Sequence, residues 1–246
     1  DVVPVDIGVA RPVTGEKILQ RNVRRSTANM TKGPAMTREE AVRAVEIGIE
    51  LVHRLKGQGY RLLATGEMGI GNTTTSSAVA AVLLNMPVRQ VTGRGAGLSS
   101  EGLERKVRAI ETAIAVNRPD QADPIDVLHK VGGLDIAGLA GVFLGGADLR
   151  VPVLVDGFIS SIAALTAVRL CPAAAEYMIA SHASGEPAGD MVLSALGLTP
   201  FIRAGMRLGE GTGAVAAMPL LDMGLAVYHG MPTFEGIEIE AYQPLT

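Results

Sequence analysis

Tryptophan is absent, cysteine occurs once, and Phe and Tyr together make up only 3% of the chain. The lone Cys171 excludes an intramolecular disulfide and a cysteine-based metal cluster, a usage that fits a reducing compartment and points to the cytoplasm. Few aromatics and dispersed Lys and Arg leave no basic, stacking face of the kind that binds nucleic acid; the densest basic cluster is "RNVRRS" at 21–26. Long apolar runs are missing too, since no stretch reaches the roughly 20 residues of a membrane span. The opening "DVVPVDIGVA" carries an acid where a secretory leader carries basic residues, so no signal peptide is expected. His53, His129, His182 and His229 stand apart with no i, i+4 pair, and no metal is expected. His53 and His129 read as helix-surface residues.

What is present is a chain of 246 residues with net charge −3, rich in Ala, Val, Leu, Ile and Gly. That length supports one large domain with a substantial core, and neither a repeat nor a composition break divides 1–246. Short β-branched runs alternate with alanine-rich helical stretches, the pattern of an α/β fold in which helices cover a parallel sheet. Candidate buried strands are "VVPVDIGVA" (2–10), "YRLLAT" (60–65), "VPVLVD" (151–156) and "EYMIASHA" (176–183).

Helix signals are sharper. "TREE" predicts a capping box of Thr37 with Glu40, followed by Ala41, Val45, Ile49, Val52 and Leu55 on one face and an end near Gly57 or Gly59. A second helix starts after Ser99 or Ser100, with Lys106 in its first or second turn. "DPIDVLHKVGG" places Asp123 as cap before Pro124, and "LDIAGLAGVFLGGA" predicts a helix starting after Asp135. Another follows Asp156, and the last long helix starts within "GEGTGAVAAMPLLDMGLAVYHGM".

Four loops rich in Gly, Ser, Thr and acids are expected after strands: "TGEMGIGNTTTSS", "VDGFISS", "SHASGEPAG" and "RLGEGTGA". In open parallel sheets such loops collect ligands at the carboxyl ends of the strands. The first is neither a Walker motif, lacking the closing Gly-Lys-Ser/Thr, nor a dinucleotide fingerprint, since Thr74 stands where the third glycine belongs. Its backbone N–H groups at Gly69, Gly71, Asn72 and Thr73 suit a monophosphate or a carboxylate, and equally suit a tight turn with hydroxyl caps. Glu210, between two glycines at a helix start, either complements the helix dipole or meets a ligand at close range. Arg207 suits an anion or a surface acid.

Taken together, "GEMGIGNTTTSSA", "TGRGAG", "LVDGFISSIAAL", "SGEPAG" and "RLGEGTGA" resemble one family across essentially the whole chain. That family is nicotinate-nucleotide:dimethylbenzimidazole phosphoribosyltransferase, of the cobalamin lower-ligand pathway. The resemblance implies a Rossmann-like parallel sheet covered by helices with a smaller helical subdomain, a homodimer with sites near its interface, and no cofactor. It also implies transfer of 5-phosphoribosyl from nicotinate mononucleotide to a benzimidazole, giving α-ribazole 5'-phosphate and nicotinate. By motif position Glu210 corresponds to the general base, its basicity raised by partial burial. Glu67, Gly69, Lys106, Asp156, Ser184 and Arg207 correspond to residues lining the nucleotide or product site. Family members carry a longer N-terminal segment, lining the aromatic-base pocket, that this sequence does not contain. The alternative is a non-catalytic nucleotide or nucleoside binder built on the same loops.

Overall fold

The computed structural model describes residues 1–240, 242 and 243. Two parallel sheets organise the chain: β1 (Val5–Asp6) pairs with β2 (Leu19–Gln20), and β3 (Leu63–Ala64), β4 (Val153–Val155) and β5 (Met178–Ala180) form a second sheet in that order. Around them lie α1 (Arg38–Gly57), α2 (Thr73–Leu83), α3 (Val88–Val91), α4 (Ser100–Asn117), α5 (Pro124–Val131), α6 (Leu134–Leu149), α7 (Phe158–Leu170), α8 (Gly189–Ala195) and α9 (Thr212–Gly230). This is the expected α/β class, parallel sheets covered by helices. No helix among the described residues is long and apolar enough to cross a membrane.

The strands are shorter than expected, for identifiable reasons. The predicted strand 2–10 contracts to Val5–Asp6 because the Asp6 carboxylate accepts the N–H groups of Gly8 (3.1 Å) and Val9 (2.9 Å) and turns the chain out of the extended state. It also belongs to the two-stranded sheet, not the central one, and Val2 is 87% exposed. At the other end of the sheet a 3₁₀ turn over Pro172–Tyr177 takes up the start of the predicted strand 176–183. The loop "RLGEGTGA" follows no regular strand; only a parallel bridge of His182 with Ile202 extends the sheet on that side.

Helix starts follow the local signals. Thr37 caps α1 with the full capping box, Ser99 accepts from the N–H of Gly102 at α4, and Asp123 accepts from Ile125 and Asp126 at α5. Helix α6 departs by two residues: Gly133 is its N-cap, and Asp135 lies inside the first turn. His129 is more enclosed than expected, bonded through Nε2 to Asp126 (3.1 Å) and through Nδ1 to the Met36 carbonyl oxygen (3.3 Å). Pro219 sits inside α9, and beyond it the apolar residues Met223 (64%), Val227 (58%) and Tyr228 (79%) face solvent.

Helices α1 and α6 pack backbone to backbone. A Cβ on Gly48 would stand 2.0 Å from the Gly138 carbonyl oxygen, and one on Gly141 would stand 1.9 Å from that of Val45. Only glycine admits this approach, and Phe143 and Ile136 on the same helix α6 are buried in the core. An alanine normally favours a helix interior, but here it forces two rigid backbones apart. Gly141→Ala is therefore expected to lower stability by about 1–3 kcal/mol in urea unfolding, whereas Gly224→Ala in α9, whose Cβ would meet nothing within 4 Å, is expected to cost nothing or to stabilise.

Candidate active site

The carboxyl ends of β3, β4 and β5 are joined by hydroxyls. Thr65 donates its hydroxyl to the Leu154 carbonyl oxygen (2.9 Å), and Ser181 donates to that of Val155 (2.7 Å). Asp156, just past β4, is 3% exposed and turned inward. Its Oδ2 accepts the N–H of Gly211 (3.1 Å) and its Oδ1 accepts that of Ala214 (3.1 Å), so one carboxylate satisfies two otherwise orphaned donors at the start of α9. Gly211 reaches this position in a left-handed conformation, φ +80°.

That anchor brings two loops together. A Cβ on Gly66 would lie 2.7 Å from the Gly211 nitrogen, so the chain of the first loop runs against the start of α9. The Glu210 N–H donates to the Glu67 carbonyl oxygen (2.9 Å), which places the two acids on adjoining backbone. Glu210 adopts φ +58°, a left-handed conformation uncommon for a non-glycine residue, and such strain gathers at functional positions. Its side chain is exposed, not partly buried as expected, because flanking Gly209 and Gly211 supply no cover. Glu67 is half-buried and its carboxylate accepts the N–H of Gly69.

A second group surrounds the one buried lysine among the described residues. Lys106, 6% exposed on the second turn of α4, donates to the Thr73 hydroxyl (2.9 Å) and the Gly93 carbonyl oxygen (3.0 Å). Burial lowers its pKa, and the nearby Glu186 charge acts in the opposite sense. Glu186 packs directly on Gly93, where a Cβ would meet its Oε2 at 1.8 Å, and a Cβ on Gly95 would stand 2.8 Å from the Thr73 hydroxyl oxygen. Arg207 is exposed and lies over Gly185, with its Nε 3.1 Å from where a Cβ on that glycine would stand. Ser184 accepts the N–H of Glu186 (3.3 Å). Gly69 and Gly71 are left-handed, at φ +76° and +81°, with open space where a side chain would be.

Three residues of this region carry no signal that assigned them beforehand. Asp135 meets the Asn72 side-chain amide through its carboxyl group at 2.6 Å. His182 is buried, with Nδ1 3.0 Å from the Ser181 hydroxyl and 3.9 Å from Asp156 Oδ1, and its ring fills the space that a side chain at Gly213 would need. Glu186 lies in the "SGEPAG" motif, which marked its loop but not its role. Among the described residues no group of three or more His, Cys, Asp and Glu is placed to hold a metal ion.

Glycine-rich loops meeting at the carboxyl edge of a parallel sheet, with backbone donors, a desolvated lysine and two acids on adjoining backbone, mark an α/β protein whose loops gather where such folds collect ligands. A family model described as "Phosphoribosyltransferase" matches residues 1–239. The nicotinate-nucleotide–dimethylbenzimidazole phosphoribosyltransferase of Acetivibrio thermocellus is 54% identical over 244 residues, covering 99% of this chain and 70% of the relative. The enzyme of the same name from Clostridium acetobutylicum is 51% identical over 245 residues, covering 100% and 70%. Among solved structures, CobT from Thermus thermophilus superposes with a TM-score of 0.89 at 42% identity, over 96% of this chain and 71% of that one. The chain belongs to this phosphoribosyltransferase family.

The Lys106 environment gives a direct test. A base whose pKa is lowered on folding carries the cost of its charge below that lowered value, and the cost is relieved as pH rises through it towards the ordinary lysine value. In a ¹³C NMR titration of lysine side chains, the Lys106 signal is expected to turn over at lower pH than the exposed lysines.

Proposed function

We propose that this protein transfers the 5-phosphoribosyl group from nicotinate mononucleotide to 5,6-dimethylbenzimidazole or a related base, giving α-ribazole 5'-phosphate and nicotinate in cobalamin nucleotide-loop assembly. The observation that carries the reading is the placement of Glu210 on backbone bonded to the Glu67 loop, in a chain about half identical to enzymes of that name over nearly all its length.

The chemistry suits these residues. The nicotinate ring nitrogen is cationic in the donor and departs as a neutral ring, so the leaving group needs no strong acid. The attacking benzimidazole becomes cationic unless its second nitrogen loses a proton, and Glu210 is the group we assign to accept it. Its exposure in the described chain leaves room for the base to reach the carboxylate. Attack opposite the leaving group converts the β-linkage of the donor to the α-linkage of the product. A monophosphate donor has no diphosphate leaving group to neutralise, which is why the reading assigns neither a metal nor a cofactor.

Holding the ribose phosphate falls to Lys106, Thr73, Ser184, Arg207 and the N–H groups at Gly71, Asn72 and Thr73, while the N–H of Gly69, expected to share this task, is taken up by the Glu67 carboxylate. Glu67 is assigned to the ribose hydroxyls or to the base. Asp156 acts on this reading through backbone, since both its oxygens are engaged at the start of α9 and fix the turn that carries Glu210. We further propose a single phosphoribosyltransferase domain working in the cytoplasm, the smaller helical part being the distal half of α9. Its exposed Met223, Val227 and Tyr228, with Met231 just beyond, form the apolar surface through which we expect two copies to associate.

Mixing the protein with nicotinate mononucleotide and 5,6-dimethylbenzimidazole is expected to release nicotinate, followed by chromatography, and Glu210→Gln is expected to lower turnover about 10²- to 10⁴-fold while donor binding persists. Donor binding without any release would favour a nucleotide binder. Light scattering is expected to give the mass of a dimer, reduced to a monomer by Met223→Lys combined with Tyr228→Lys.

A further inference from the structure

The first glycine-rich loop is fastened at a point that the proposed reaction does not use. Asn72, the N-cap residue of α2, is 7% exposed, and its side-chain amide meets the carboxyl group of Asp135 in the first turn of α6 at 2.6 Å. Asn72 makes no side-chain cap bond to α2, and its other amide atom has no protein partner. Asp135 therefore supplies the one side-chain bond holding Asn72 among the described residues. Immediately downstream of Asn72, Thr73 receives the Lys106 ammonium group, and upstream lies Glu67. The Asn72 carbonyl oxygen accepts the Thr75 hydroxyl (2.9 Å) and the Ser76 N–H (2.9 Å), so a shift of this residue is transmitted to the first turn of α2.

The environment of Asp135 is unusual for a carboxylate. Its Oδ1 occupies the space beside Gly133, where a Cβ would lie 2.3 Å away. Desolvation, and after it the negative charge of Glu67, raise its pKa, while the bond with Asn72 and the backbone N–H groups of Ile136 and Asp135 act against the shift. Cations on the neighbouring side are engaged elsewhere: Leu134 packs on Gly8, and in the adjoining strap Arg24 pairs with Glu40 (2.9 Å) and Arg25 faces Asp6 (3.9 Å). A separation of 2.6 Å is short for N–H···O and ordinary for O–H···O. With the amide of Asn72 turned over, its oxygen receives a proton from the Asp135 carboxyl group, and amide orientation is an assignment that the hydrogen-bond network decides.

We propose that Asp135 is a positioning residue for the site, a carboxyl hydrogen-bond donor that holds Asn72 and thereby sets the wall carrying Glu67 on one side and Thr73 with Lys106 on the other. Two ionised carboxylates here would repel each other, the charge of Glu67 acting on Asp135. One protonated and one ionised carboxyl group satisfy the wall and keep the single negative charge on Glu67. The role of that wall in holding the donor rests on the function proposed above; the hydrogen bond itself does not.

The test compares the full chain with Asp135→Asn, which keeps a neutral donor, and Asp135→Ala, which removes it. In ¹³C NMR of aspartate-labelled protein without ligand, one carboxyl signal is expected to titrate above the ordinary carboxylate range and to be missing in Asp135→Asn. The Asn72 side-chain amide signals are expected to persist in Asp135→Asn and to collapse towards solvent-exposed positions in Asp135→Ala. In the nicotinate-release assay Asp135→Ala is expected to raise KM for nicotinate mononucleotide about three- to tenfold with a smaller change in kcat, and Asp135→Asn to stay within about threefold of wild type. Aspartate carboxyls that all titrate in the ordinary range would overturn the inference, as would Asn72 signals indifferent to both substitutions or a loss equal in Asp135→Asn and Asp135→Ala. If the wild-type protein releases no nicotinate the functional reading fails, and the two NMR measurements still decide the role of Asp135.

Discussion

The carboxylate of Asp156 receives two backbone N–H groups of α9 at once, and the arrangement of the site depends on that pair of bonds. Asp156 stands at the carboxyl end of the central strand, so the bonds tie the middle of the sheet to the start of the last long helix. A helix start leaves four donors without intrahelical partners, and a buried carboxylate satisfies two of them while meeting the positive end of the helix dipole. The turn before α9 is thereby fixed, Gly211 is drawn against Gly66, and Glu210 comes to donate to Glu67. Two stretches of chain far apart in sequence become adjacent because one strand-end acid has a definite job.

The second organising element is a cation kept from water. Lys106 reaches from α4 to Thr73 on α2 and to the loop at Gly93, joining pieces that share no strand. An exposed lysine is a mobile, hydrated charge, whereas one held by two acceptors at 6% exposure presents its charge in a fixed direction. On the far side of the first loop the Asp135 carboxyl group meets the Asn72 side-chain amide at 2.6 Å, with burial favouring its neutral form. The loop that lacks its own lysine is thus bracketed by a desolvated ammonium and a desolvated carboxyl group, each supplied by a helix it does not belong to.

Much of this was legible in the chain, and the boundary falls along physical lines. Thr37 with Glu40, Ser99, and Asp123 with Pro124 were readable as helix starts because capping is decided within four residues. The strand at 2–10 was overread because alternating apolar residues say nothing of the Asp6 side chain bending the chain back on itself. Asp135 looked like a cap and proved to be the second residue of the helix, since a Gly133 with no side chain gives no capping signal. The burial of Lys106 and the engagement of Asp156 by α9 depend on contacts across 13 to 58 positions, which no local pattern encodes. The motifs nevertheless marked loops that the fold brings side by side, because glycines where backbones meet and acids at helix starts are local requirements of a non-local arrangement.

Pro219 divides α9 into parts with different obligations. It has no N–H to return to the carbonyl one turn earlier, so the rung that would couple the two halves is absent. Ala214 and Ala217 ahead of it are fully buried, while Met223, Val227 and Tyr228 beyond it are solvated. The proline therefore marks a boundary: ahead of it the helix is held by buried contacts and by Asp156 next to Glu210, and beyond it by its own hydrogen bonds, with one rung fewer to carry a disturbance inward.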